Sequence, residues 1–157
     1  MCLILDTDVV HLVYPRPSQQ FVPVHRAVSD KRARLVYGGE LRREYQRMQG
    51  FWRILYRLDQ EGSARAVPDN AVDTEMQHIS QTGLCVSNDP HIIALARVAD
   101  VRLLCTNDRR LMRDFRNGAL LSNPRGHVYT RANHADLIRT KCRHVQQAPR
   151  YNRRRPT

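Results

Sequence analysis

A chain of 157 residues, 41% hydrophobic and 26% charged, can bury about two thirds of its unfolded surface, enough for one domain with a real core. No apolar run approaches the roughly 20 residues of a membrane helix, and the opening run from Cys2 to Leu5 is too short for the core of a signal peptide, so a soluble cytoplasmic protein without membrane contact is expected. Lys and Arg number 26 against 15 Asp and Glu, a net charge of +11, which suits a polyanionic partner. All the cations except Lys31 and Lys141 are arginines, whose planar fork suits phosphate and stacks on exposed bases; codon usage in a GC-rich genome would give the same bias. Cys2, Cys85, Cys105 and Cys142 are scattered and read as reduced. His134, Cys142 and His144 match no standard zinc spacing.

In chain order, the apolar run Leu3 to Leu5 predicts a strand, with a short helix following Val9 and Val10. YPRPSQQFVP, with three prolines, predicts a loop, and HRAVSDKRAR a short helix. RLVYGGELRREYQRM predicts a strand, a two-glycine turn and an amphipathic helix running to about Asp59. SARAVP predicts a brief strand, DNAVDTEMQHISQTG a helix closed by Gly83, and NDPHIIALARVAD a helix with Pro90 in its first turn. VRLLCTNDRRLMRDFRNG repeats strand, turn and helix; GHVYT predicts a last strand and 133–145 a last helix. Strands alternating with helices predict an α/β fold in three layers, a central parallel sheet covered on both faces.

Acids stand at four strand-to-helix junctions: Asp6 and Asp8 after the first strand, Glu40 after LVYGG, Asp89 before the HIIALA helix and Asp108 after VRLLCTN. In an open parallel sheet these junctions line one edge, beyond the carboxyl ends of the strands, where ligands bind. Taken singly, Asp89 and Asp108 suit helix caps and Glu40 suits a helix dipole. Capping does not explain why Asp6 and Asp8 end the most apolar strand. Several carboxylates brought together repel unless some are protonated or a cation sits among them, and a hard, oxygen-loving ion such as Mg²⁺ or Mn²⁺ would serve.

The series ILDTDVV, YGGELRREY, SNDPHIIALAR and LLCTNDRRL resembles the PIN domain, a fold of metal-dependent ribonucleases that includes many bacterial toxins. The similarity runs from Leu3 to about Phe115; each motif is short, and their order and spacing carry the resemblance. It implies a nuclease domain over 1–146, with Asp6, Glu40, Asp89 and Asp108 as catalytic metal ligands, Asp8 as an added ligand and Thr106 as a supporting hydroxyl. Two features depart from the family pattern: Asp8 stands where asparagine is common, and the proline-rich loop after His11 is long. Glu44, one turn after Glu40, is expected to be solvated. The implied chemistry is hydrolysis of a phosphodiester in single-stranded RNA with Mg²⁺ or Mn²⁺. The implied partners are RNA, a protein antitoxin if the chain is a toxin, and a second copy of the chain in a homodimer.

Two other readings compete. The Asp6-Thr7-Asp8 stretch also resembles the first motif of haloacid dehalogenase-like phosphatases, which use a lysine followed by a late acidic pair, whereas Lys31 precedes most of the acids and Lys141 follows them all. An RNA-binding PIN-like module without catalysis would keep the charge and lose the metal site. Residues 147–157 read as a basic flexible tail, in which Arg150, Arg153, Arg154 and Arg155 would clamp RNA beside Tyr151.

Overall fold

A computed structural model describes residues 2–141, so Arg150, Arg153, Arg154, Arg155 and the expected tail lie outside the described residues. Five parallel strands form one sheet in the order β3-β2-β1-β4-β5: β1 Cys2–Leu5, β2 Arg34–Tyr37, β3 Ala64–Ala66, β4 Leu103–Cys105 and β5 His127–Tyr129. The helices are α1 Val10–Val13, α2 Val22–Ser29, α3 Gly39–Arg47, α4 Gln49–Gln60, α5 Asp69–Thr82, α6 Pro90–Ala99, α7 Arg109–Arg116 and α8 Ala135–Lys141. They flank the sheet in the expected three-layer α/β architecture. No helix among the described residues is long and apolar enough to cross a membrane.

Burial explains the strand order. Leu3, Ile4 and Leu5 are fully buried, as are Leu103, Leu104 and Cys105, so β1 and β4 carry apolar side chains on both faces, as inner strands of a parallel sheet must. β3 exposes Arg65 and Ala66 and forms an edge. The chain builds outward from β1 to β2 and β3, then returns to the far side of β1 for β4 and β5. The reversal lies between β1 and β4, which is where open α/β sheets leave a crevice beyond the strand ends.

Local structure departs from expectation in three places. The helix expected from HRAVSDKRAR begins earlier, with Pro23 in the first turn of α2, and ends at Ser29 because Lys31 adopts a left-handed conformation (φ 59°). The single helix expected to reach Asp59 is two helices, since Met48 has φ −97° and ψ 75° and breaks the ladder between α3 and α4. The last helix is preceded by a 3-10 turn at Ala132–His134, and its described part ends at Lys141. The two-glycine turn has a steric cause. A side chain on Gly39, at φ +60°, would sit 2.7 Å from Val72 Cγ1, and one on Gly38 would meet the Val67 carbonyl at 2.6 Å. Both glycines let α3 start close against the approach to α5.

Candidate metal centre

The site starts from adjacent strand ends. Leu5 and Cys105 are paired across β1 and β4, and the Asp6 N–H continues the ladder to the Cys105 carbonyl at 2.9 Å. Asp6 and Thr106 therefore leave the sheet side by side at the crevice. Asp6 is 6% exposed; its Oδ1 accepts the Thr7 N–H at 2.8 Å and its Oδ2 accepts the Thr106 hydroxyl at 2.8 Å. Thr106 Oγ1 in turn accepts the Asp108 N–H at 3.0 Å and stands 3.5 Å from Asp8 Oδ1. Asp8 Oδ2 accepts the Asn107 N–H at 3.0 Å. One buried hydroxyl thus ties together three of the five expected acids.

The capping explanation divides those acids. Asp108 does cap α7, its Oδ1 accepting from the N–H groups of Arg110 and Leu111 at 2.9 and 3.3 Å. Asp89 precedes α6 without any side-chain capping bond; its own N–H donates to Ser87 Oγ at 3.3 Å. Its carboxylate is directed elsewhere, into a group with Glu44 and His91 whose ligand atoms lie within 4.8 Å of one another. The approach to Asp89 is held by a buried carboxylate, Asp114, which accepts the N–H groups of Val86 and Ser87 at 2.9 Å each.

Glu44 and His91 are the residues that sequence reasoning misplaced or passed over. Glu40, expected as a ligand, forms ion pairs with Arg43 and Arg47, each at 3.2 Å. Arg43 also grips Asp73 at 2.6 Å, so Glu40 belongs to a charge network between α3 and α5. Glu44, expected to be solvated, stands 3.5 Å from His91 Nε2 and beside Asp89. The helical repeat accounts for the exchange: at 3.6 residues per turn Glu44 lies nearer than Glu40 to the buried stripe of Leu41 and Tyr45. Tyr45 is fully enclosed and donates its hydroxyl to the carbonyl of Leu5, the residue before Asp6. This bond pins α3, and Glu44 with it, to the end of β1. His91 follows Asp89 by two positions, so a short Asp-Pro-His sequence at a helix start was the available signal.

Charge crowding shapes the titration of the cluster. Burial raises the Asp6 carboxyl from 3.8 to about 7; the Thr106 bond opposes this, and the charges of Asp8 and Asp89 add to it. Asp89 is raised by burial, with His91 opposing and Glu44, Asp108 and Asp8 adding repulsion. Burial alone would lower His91, yet the carboxylates of Glu44, Asp89 and Asp6 outweigh it and hold the ring above the usual histidine range. Asp6, Asp8, Glu44, Asp89 and Asp108 thus share one electrostatic field.

A cation fits this field on a specific observation. His91 Nε2 is buried and makes no hydrogen bond; its 3.5 Å approach to Glu44 is an electrostatic contact without hydrogen-bond alignment. A buried polar atom left unbonded amid carboxylates is costly unless something else binds there. Two carboxylates and an imidazole are a ligand set that suits Mn²⁺, and the carboxylates accept Mg²⁺ as well.

Lys31, exposed just before β2, stands at the amino-terminal edge of the sheet, opposite the acids. Comparison with protein-family profiles, with curated proteins and with solved structures finds no match to this chain.

Proposed function

We propose that this protein is a Mg²⁺- or Mn²⁺-dependent endoribonuclease that hydrolyses phosphodiester bonds in single-stranded RNA. The observation that carries the reading is the convergence on one crevice of Asp6 and Asp108, which follow β1 and β4, and of Asp89, which stands not after a strand as expected but in the connection between α5 and α6, with Glu44 and the unbonded His91 Nε2 completing the group. A bound divalent cation would supply an activated water and neutralise charge developing on the phosphate. The protein's part is positional. Glu44, Asp89 and His91 offer ligands, Thr106 orients Asp6, and Asp8 is held by the Asn107 N–H. The Asp6 carboxylate, held in place by the Thr106 hydroxyl and the Thr7 N–H, can take up the proton that the attacking water gives up. The surplus of arginine attracts a polyanion to the protein.

The PIN-like order of motifs supports the ribonuclease reading, and a toxin neutralised by a protein antitoxin is the role we favour, in the cytoplasm and with a homodimer as a further partner state. Strong induction in bacteria should arrest growth, and co-expression of an adjacent small gene should relieve it; normal growth with soluble protein would turn the reading toward RNA processing. A second reading, an RNA-binding module without catalysis, has one observation in its favour: a charged His91 would itself neutralise Glu44 and Asp89. Cleavage of a generic single-stranded RNA, abolished by EDTA and restored by Mn²⁺, separates the two. The phosphatase reading is disfavoured by the position of Lys31 across the sheet from the acids.

A further inference from the structure

We infer that the groove between the 84–89 segment and α7 is a nucleotide subsite, holding the stretch of single-stranded RNA next to the acidic cluster with Arg113 and Arg116 on its phosphates and Leu84 and Val86 against a base. The inference rests on the ribonuclease reading for the identity of its occupant.

The groove has a volume of about 390 Å³ and is lined by Leu84, Val86, Arg113, Asp114, Arg116 and Asn117. Leu84 and Val86 are 43% and 47% exposed, two of the few large apolar side chains left in solvent. Arg113 and Arg116 are exposed and form no ion pair among the described residues. Between the walls, the Asp114 carboxylate is turned onto the N–H groups of Val86 and Ser87, so it holds the walls together and leaves both guanidinium groups unpaired.

Direction decides the occupant. One wall ends at Asp89 and the other begins at Asp108, and these two acids are close enough to repel. The groove therefore leads from the arginine pair to the proposed metal centre. Along α7, Arg113 and Arg116 lie about 7.5 and 12 Å from Asp108, a distance of about two to four nucleotides at the roughly 3.4 Å spacing of a stacked strand, and fewer if the strand is extended. An acidic peptide would match the arginines but would run into Asp89 and Asp108. A polynucleotide meets arginine at one end and presents a phosphate to the cation-seeking end. Apolar contact with a base face tolerates any base, so the subsite gives affinity with little sequence preference.

The test uses the full chain and a labelled single-stranded RNA oligonucleotide in EDTA, which prevents cleavage. Binding is measured against salt for the wild type, for R113Q/R116Q, for L84S/V86S, and for R53Q/R57Q, which removes the same charge from exposed positions on α4. Each phosphate contact on a single strand contributes about 0.7 to the salt slope, so R113Q/R116Q should flatten it by about 1.4 and weaken low-salt binding at least about tenfold. L84S/V86S should weaken binding with the slope unchanged, and R53Q/R57Q should flatten the slope by less than half as much as R113Q/R116Q. Equal effects of the two arginine pairs would overturn the subsite, leaving only general charge. Unchanged RNA binding by R113Q/R116Q, together with loss of binding to a labelled Glu/Leu-rich peptide, would overturn it in favour of a peptide groove. RNA cleavage by the wild type with KM and slope unchanged in R113Q/R116Q removes the subsite and keeps the nuclease. Arginine-dependent RNA binding by a wild type that never cleaves keeps the subsite and removes the nuclease.

Discussion

Replacing Asp6 by asparagine keeps the shape of the side chain and removes its charge, which tests the electrostatic cost of assembling the cluster. The folded protein holds the Asp6 proton to about pH 7, whereas an unfolded chain releases it near 3.8. Between those values the folded state binds more protons, so this group's contribution to stability is fully present below pH 3.8 and falls as pH rises to about 7. At 1.36 kcal/mol per tenfold change in proton affinity the whole difference is at most about 4 kcal/mol. Asp6→Asn has no such loss. With EDTA present, its stability relative to wild type should therefore rise by up to about 3 kcal/mol between pH 5 and pH 7, read from denaturant midpoints at constant m-value. Saturating Mn²⁺ should shrink the gap by stabilising the wild type more than the variant. Parallel stability curves for the two proteins from pH 5 to 8, or an asparagine variant less stable at pH 8, would refute the reasoning.

Other substitutions separate parts of the account. Glu44→Gln should weaken Mn²⁺ binding by about 10- to 100-fold in a calorimetric titration, while Glu40→Gln should leave it within about twofold, since Glu40 is paired with Arg43 and Arg47. Asp114→Ala leaves the buried Ser87 N–H and the partly buried Val86 N–H without an acceptor and should cost about 3 kcal/mol of folding stability by denaturant titration. Tyr45→Phe should cost about 1 to 2 kcal/mol through the lost bond to Leu5, and should lower metal affinity because α3 is no longer fixed to β1. Deleting residues after Ala148 removes Arg150, Arg153, Arg154 and Arg155; if each neutralises a phosphate, the RNA salt slope should flatten by about 3 with turnover at saturating RNA preserved, and an unchanged slope would make the tail a bystander.

The sheet was legible because its inner strands are short runs of apolar residues, Leu3 to Leu5 and Leu103 to Cys105, buried on both faces as the pattern requires. The break at Met48 was not, since the one nearby mark, Gly50, falls inside the first turn of α4 and the apolar periodicity resumes directly after it. The acids at strand ends could be read from position alone, because topology brings all such ends to one edge whatever the loops between them do. Which glutamate faces that edge depends on the rotation of α3, set by Gly39 packing on Val72 and Tyr45 reaching Leu5. These contacts span about 30 and 40 positions of sequence and leave no local mark. His91 was hidden for a different reason, as a single histidine on an apolar helix reads as core until its neighbours are known.

The most direct measurement is the rate of cleavage of a saturating single-stranded RNA as Mn²⁺ is titrated into metal-free wild type and Asp89→Asn, because Asp89 makes no capping bond that its loss would disturb. The account predicts saturable activation of the wild type, no cleavage in EDTA, and a loss of at least about 100-fold in the variant with its thermal stability retained. Metal-independent cleavage by the wild type, or equal rates for the two proteins at saturating Mn²⁺, would contradict it.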